Sequence, residues 1–245
     1  MLATKIILLT GASRGIGRAI AKSLAANGAT VILLSRSVPD LVSLYDEIVH
    51  AGYPQPSIYP FNLCSATLED YDDLRRNIEK EYGRLDGLIH NAGILGDLSP
   101  IEHYNIQKWY QVLQVNLNGA FMLTQAAMSL LKKSPAANII FTLNQISNQP
   151  KANWGAYAVA NAGCQTMMQM LASECENLTN IKVNAVRLAK VQTSLRAQAY
   201  PAEDKSQLTK PEDVCQDYVE LMSATKRHLN GAIVDVIAEN LEILV

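Results

Sequence analysis

Near the start of the chain, Thr10-Gly11-Ala12-Ser13-Arg14-Gly15-Ile16-Gly17 has residues suited to holding an anion. Gly11 permits a tight turn, Gly15 lets backbone approach a pyrophosphate, and Gly17 lets a helix pack closely on a sheet. The N-terminus of that helix then attracts the negative charge. Setting gives the pattern its weight: it follows a strand-length apolar run, Lys5–Thr10, and opens a stretch of helical period. The next apolar run ends at Leu34-Ser35-Arg36. NAD-binding domains usually place an acidic residue near this point, on the ribose hydroxyls. Arg36 would instead attract a 2′-phosphate, and Arg14 could join it, so the two cations favour NADP(H) over NAD(H). The plainer alternative is a ligand-free glycine turn beside two solvated arginines.

A site of this kind needs a sheet with a helix after each strand. Apolar runs at Lys5–Thr10, Thr30–Leu34, Ser57–Phe61, Gly87–His90, Ala137–Leu143, Ile181–Arg187 and Ala232–Val236 read as strands. Between them Gly15–Asn27, Pro39–His50, Leu68–Tyr82, Ile106–Leu131 (one or two helices), Asn153–Leu178 and Pro211–Met222 read as helices. This alternation predicts a single α/β domain over residues 1–245: a Rossmann-type, doubly wound sheet of about seven parallel strands with helices on both faces. The least regular stretch, Leu188–Lys210, follows the sixth strand, where open α/β sheets bind ligands, and reads as a cover for the site.

Composition narrows the function classes. The 245 residues carry 21 Lys+Arg and 23 Asp+Glu, a net charge of −2, and 49% are hydrophobic. That excludes global disorder and a nucleic-acid partner bound through a basic field. Apolar runs are strand-sized, so no membrane span is expected. Met1–Lys5 leads directly into the first strand, which predicts no signal peptide. Cys64, Cys164, Cys175 and Cys215 are widely spaced and the four histidines form no ligand pattern, which predicts reduced cytoplasmic thiols and no metal site.

The chain resembles the short-chain dehydrogenase/reductase family. The resemblance rests on the Thr10–Gly17 loop, on Asn91-Ala92-Gly93 after the fourth strand with His90 replacing the usual first Asn, on Asn116 in Gln114-Val115-Asn116-Leu117, and on Tyr157 in Trp154-Gly155-Ala156-Tyr157. Within the family it resembles the bacterial YciK-like oxidoreductases at His90–Asp97, Lys151–Tyr157 and Ala199–Asp204. The resemblance implies hydride transfer between a nicotinamide and a carbonyl or alcohol carbon, with Tyr157 as proton carrier and Asn116 as the tetrad asparagine. It extends the dinucleotide path over Asn62, Leu63, Asn91, Ala92, Gly93, Tyr157, Asn161, Val191 and Thr193. It also implies a homodimer or homotetramer through the helices at Ile106–Leu131 and Asn153–Leu178, with Met122, Ala126, Ala127, Met167, Met168, Met170 and Leu171 as interface or core.

Several positions depart from the family pattern. The lysine that belongs four residues after the tyrosine is Asn161. The serine that belongs at the end of the fifth strand is Asn144. The Pro-Gly after the sixth strand is Leu188-Ala189, and Asn62 replaces an aspartate. An unperturbed tyrosine has a pKa of about 10, and bringing it to about 7 takes roughly 4 kcal/mol of charge stabilisation that an asparagine lacks. Asn144 can still donate to a carbonyl oxygen, and Asn161 could still bond a ribose. Lys190 could lend a charge, although a solvent-facing lysine is the better reading. Trp154 and Trp109 read as core or interface. Three functions follow: an NADP(H)-binding protein with weak or no standard dehydrogenase activity, an active NADP-dependent carbonyl reductase with a substitute for the lysine, or an interaction scaffold without nucleotide.

Overall fold

A computed structural model describes residues 2–236. Seven strands form one parallel sheet: β1 (Ile6–Thr10), β2 (Thr30–Ser35), β3 (Ser57–Pro60), β4 (Gly87–His90), β5 (Asn138–Asn144), β6 (Lys182–Leu188) and β7 (Ile233–Val236). Their order is β3-β2-β1-β4-β5-β6-β7. Parallel strands covered on both faces must be apolar at successive positions. Leu8 of β1 accordingly belongs to the core on one face, together with Leu74 and Ile78 of α3 (Leu68–Tyr82), Leu123 of α5 (Gly119–Leu131) and Met168 of α6 (Gly155–Cys175). Its neighbours Ile7 and Leu9 pack on the other, with Ile20 and Leu24 of α1 (Gly15–Ala26), Leu44 of α2 (Val38–His50) and Tyr218 of α8 (Cys215–Met222).

Strand order reverses beside β1: the chain steps outward to β2 and β3, then returns to β4 on the other side. The crevice beyond the carboxyl ends of β1 and β4 is therefore the place for a ligand. Both loops that border it, residues 11–14 and 91–93, come from the motifs singled out above.

Local signals set the helix ends. Thr67 and Asp70 form a capping box at the start of α3, and Gly83 closes it in the left-handed conformation. The expected helix over Asn153–Leu178 is shorter, Gly155–Cys175, because Asn153 (φ +72°) and Asn177 (φ +61°) turn the chain outside it. The expected helix over Pro211–Met222 begins as a 3₁₀ turn at Pro211–Val214 before α8.

Two further differences bear on the site. Ile106–Leu131 is one continuous path: α4 (Ile106–Leu113), a π turn at Gln114–Asn118, then α5. The stretch over Leu188–Lys210 is more ordered than an irregular cover. It contains α7 (Ser194–Ala199) and a 3₁₀ turn at Lys205–Gln207. Its two limbs are joined where the Gln192 N–H donates to the Thr209 carbonyl (2.9 Å) and the Thr209 N–H to the Lys190 carbonyl (3.0 Å). The segment is thus a closed flap.

Of the apolar residues assigned to the two long helices, Ala127 and Met168 are core, while Met122, Ala126, Met167 and Leu171 are half-buried against it. Met170 is exposed, as are Phe121 of α5 and Val159 of α6, which had not been singled out. No helix among the described residues is long and apolar enough to cross a membrane, and among them no cluster of His, Cys, Asp or Glu could hold a metal.

Candidate active site

One cleft runs along the carboxyl ends of the strands. Counting its open mouth, it measures about 1530 Å³. All the residues expected to bind or react line it: Gly11, Ser13, Arg14, Gly15, Ile16 and Gly17 on the loop after β1, Arg36 after β2, Asn62 and Leu63 after β3, and Asn91, Ala92 and Gly93 after β4. Asn116 on the π turn, Asn144 at the end of β5, Tyr157 and Asn161 on α6, and Val191 and Thr193 on the flap complete the wall. Lys190 is exposed and does not line the cleft, so it gives Tyr157 no charge from within it.

The loop after β1 leaves no room for a side chain at Gly11 or Gly17. Gly11 sits at φ +67°, and a Cβ there would approach Ala92 Cα to 2.8 Å. A Cβ on Gly17 would overlap the Gly11 carbonyl and come within 2.6 Å of Asn91 Nδ2. Gly15, at φ +53°, faces open space as far as Thr193, 3.6 Å from a Cβ position. α1 has no side-chain cap, so its first backbone N–H groups remain available to an anion.

Thr10, which the motif reading left without a role, fixes the two sides of the crevice to one another. Its Oγ1 accepts from the N–H groups of Asn91 (2.9 Å) and Ala92 (3.0 Å) and donates to the Ile89 carbonyl (3.2 Å). Ser13 and Ser35 share a hydroxyl–hydroxyl bond of 2.8 Å beneath the loop. Arg14 and Arg36 are exposed, and neither is paired with a carboxylate among the described residues, whereas Arg18 is held by Glu47 at 2.6 Å. Two unpaired guanidiniums beside a backbone cradle fit a phosphorylated ribose and a pyrophosphate.

At the other end three asparagines are held in fixed orientations. Asn116 Oδ1 accepts from the Ile94 N–H and its Nδ2 donates to the Ile94 carbonyl, both at 2.9 Å. The amide thus staples the loop after β4 to the π turn. Asn161 Oδ1 accepts from the Asn144 N–H (3.0 Å), and its Nδ2 donates to the Tyr157 carbonyl (3.0 Å). Most of that amide is therefore used inside the protein, which weakens the expectation that it bonds a ribose. Asn144 Oδ1 accepts from the Ile146 N–H (3.1 Å). A backbone N–H can only donate, so the Asn144 NH₂ is the end left for the cleft.

Tyr157 is buried, and burial pushes its hydroxyl up to about 12, with the neighbouring Asn161 amide opposing that only in part. Thr193 caps α7 by accepting from the Arg196 N–H (3.1 Å). Trp154 and Arg196 also line the cleft and had not been placed there by sequence; Trp109 does not line it.

His90 lies beneath this region. Its ring is buried against Phe141, at 4.7 Å between centroids, and Nε2 sits 2.8 Å from Thr124 Oγ1. Burial drives its pKa down to about 3. The folded value lies below the unfolded value of about 6.5, so this contribution to stability is full above pH 6.5 and falls as pH drops toward 3. Denaturant titrations of the parent and His90→Asn between pH 6.5 and 4.5 should differ in slope by roughly 1 kcal/mol per pH unit. Parallel slopes would show that His90 is not what acid unfolds.

The profile of the family described as short chain dehydrogenase matches residues 5–204. The uncharacterized oxidoreductase YciK of Escherichia coli K12 is 41% identical over 235 residues, spanning 96% of this chain and 92% of that protein. A short chain dehydrogenase from Shigella flexneri 2a, crystallised with NADP, superposes with a TM-score of 0.92 at 41% identity, covering 95% of this chain and 97% of that one. Another, from E. coli CFT073 with NADPH, gives 0.92 at 41% identity, covering 95% and 96%. With the sheet order, the glycine cradle and the cleft all in place, the chain belongs to the short-chain dehydrogenase family.

Proposed function

We propose that the chain binds NADP(H) and that the family's ordinary carbonyl–alcohol chemistry is weak or absent in it. The observation that carries this reading is the surroundings of Tyr157. Asn161 stands one helical turn along, its amide tied to the Asn144 N–H and the Tyr157 carbonyl, and no cation among the described residues lines that end of the cleft unpaired. A tyrosine near pKa 12 is a poor proton donor and almost never a phenolate at neutral pH.

In this reading the loop Gly11–Gly17 holds the pyrophosphate, and Arg14 and Arg36 hold the 2′-phosphate. Asn62, Leu63, Asn91, Ala92, Gly93, Val191 and Thr193 line the rest of the dinucleotide path. The relatives crystallised with NADP and NADPH support the choice of cofactor. Bound NADPH would supply the hydride. Tyr157 would supply the proton, and the Asn144 NH₂ would hold the substrate oxygen. The free NH₂ of Asn144, which lines the same cleft as Tyr157, favours a second reading, a slow but working reductase. Four unbonded cysteines, three of them buried, support a cytoplasmic setting. The exposed Phe121, Val159 and Met170 support a homodimer or homotetramer through α5 and α6.

Titration with NADPH and NADH, followed by cofactor fluorescence and by turnover on a panel of aldehydes and ketones, tests both readings. NADPH should bind at least about tenfold tighter than NADH, as one lost guanidinium–phosphate interaction implies, with little turnover. Clear turnover abolished in Tyr157→Phe would establish the working reductase. A melting temperature unmoved by either nucleotide would leave the scaffold.

A further inference from the structure

Beyond Asn144 and Tyr157, the end of the cleft over β5 and β6 is built from side chains that the cofactor reading leaves without a task. Trp154 is 9% exposed and lines the cleft just before α6. Its ring lies 5.7 Å from Tyr157 and 5.8 Å from Tyr200, which follows α7 on the flap. The Arg196 guanidinium covers the Tyr200 ring at 4.0 Å and is gripped by both Glu203 oxygens at 2.6 Å. α6 and the flap are thus joined by a row of tilted aromatic rings that ends in an ion pair.

Charge and polarity at this end are unusual for a cleft that is cationic elsewhere. Three arginines line the cleft, and Arg196, unlike Arg14 and Arg36, is neutralised by its own carboxylate. A bidentate pair occupies two donors of the guanidinium, so a substrate carboxylate would have to displace Glu203. Ile94, Leu195 and Ala199 supply apolar wall around the rings. Against these, the Asn144 NH₂ and the Tyr157 hydroxyl are two donors suited to a single oxygen.

We propose that this end is a subsite for an uncharged, flat aromatic ketone or aldehyde, with its ring against Trp154 and Glu203 holding Arg196 away from anionic substrates. The inference rests on the NADP(H) reading for its placement beside the nicotinamide, but the ring and charge preferences stand on these side chains alone.

Three ketone probes test it: acetophenone, cyclohexyl methyl ketone and benzoylformate, titrated against the protein by ligand-observed NMR with and without saturating NADP⁺. Acetophenone should bind about fivefold tighter than the aliphatic ketone, the scale of an aromatic contact, and tighter than benzoylformate. Glu203→Gln frees Arg196 and should raise the affinity of benzoylformate relative to acetophenone about tenfold. Trp154→Leu should erase the preference for the aromatic ring, and Tyr200→Leu serves if that variant does not fold. Equal binding of the two neutral ketones, tighter binding of benzoylformate to the parent, or a ratio unmoved in folded Glu203→Gln would overturn the subsite. Failure to bind NADP⁺ with the probe ranking intact would overturn only the cofactor reading.

Discussion

Asn161→Lys combined with Asn144→Ser is expected to raise NADP(H)-dependent turnover at least about a hundredfold. In the parent, burial holds Tyr157 at about 12, so at pH 7 only about one molecule in 10⁵ carries a phenolate. Position 161 lies one turn from Tyr157 and lines the same cleft. An ammonium about 4–5 Å away contributes roughly 3–4 kcal/mol at an effective dielectric near 20, or two to three pKa units. Both directions of reaction gain, because reduction needs a better acid and oxidation needs more phenolate. The pH profile carries the sign. Alcohol oxidation by the parent should climb about tenfold per pH unit for as long as the fold survives, whereas the double variant should level off near pH 9–10. Losing the Asn161 amide removes the acceptor of the Asn144 N–H and the donor to the Tyr157 carbonyl, at about 1–3 kcal/mol of stability. Thermal melts must therefore accompany the kinetics. Unchanged turnover in a folded variant that still binds NADPH would shift the blame to Leu188 and Ala189, which line the same end.

The sheet was legible because its requirements are local. A strand buried on both faces must be apolar at consecutive positions, and Lys5–Thr10 or Thr30–Leu34 can be little else. The cradle was legible for a similar reason: at φ +67° and +53°, Gly11 and Gly15 hold conformations that few other residues adopt. The π turn at Gln114–Asn118 was not, since one widened turn leaves the apolar period nearly intact on either side. The clamp of Asn116 on Ile94 joins residues 22 apart, and nothing in the sequence marks that pairing. The order of the flap was not legible, because it comes from Val191 meeting Thr209 and Arg196 meeting Glu203, contacts without periodicity. The sequence marks Trp154 as core or interface. It is buried as a core residue would be, yet one side of it belongs to the cleft, and an aromatic residue in sequence does not reveal that second face.

Gly17→Ala and Gly15→Ala should separate two properties that the same loop confers. A methyl on Gly17 overlaps the Gly11 carbonyl and crowds the Asn91 amide, and these are backbone and a hydrogen-bonded side chain, which cannot swing aside cheaply. Overpacking of this kind costs about 1–3 kcal/mol, or roughly 3–10 °C in melting temperature for a chain of this size. The loop that presents the α1 N–H groups must move to relieve it, so NADPH affinity should fall at least about a hundredfold as well. A methyl on Gly15 meets nothing nearer than Thr193 Cγ2, at ordinary contact distance. Its backbone penalty at positive φ is about 1 kcal/mol, a shift of only a few degrees. That methyl nevertheless enters the open space where a pyrophosphate would lie against the backbone, so NADPH affinity should drop tenfold or more. Calorimetric melts and NADPH titrations of the two variants give the comparison. If Gly15→Ala bound NADPH as well as the parent, the dinucleotide would not cross the loop at Gly15. If Gly17→Ala kept both melting temperature and affinity, the contact between the start of α1 and the end of β1 would be looser than the present geometry requires.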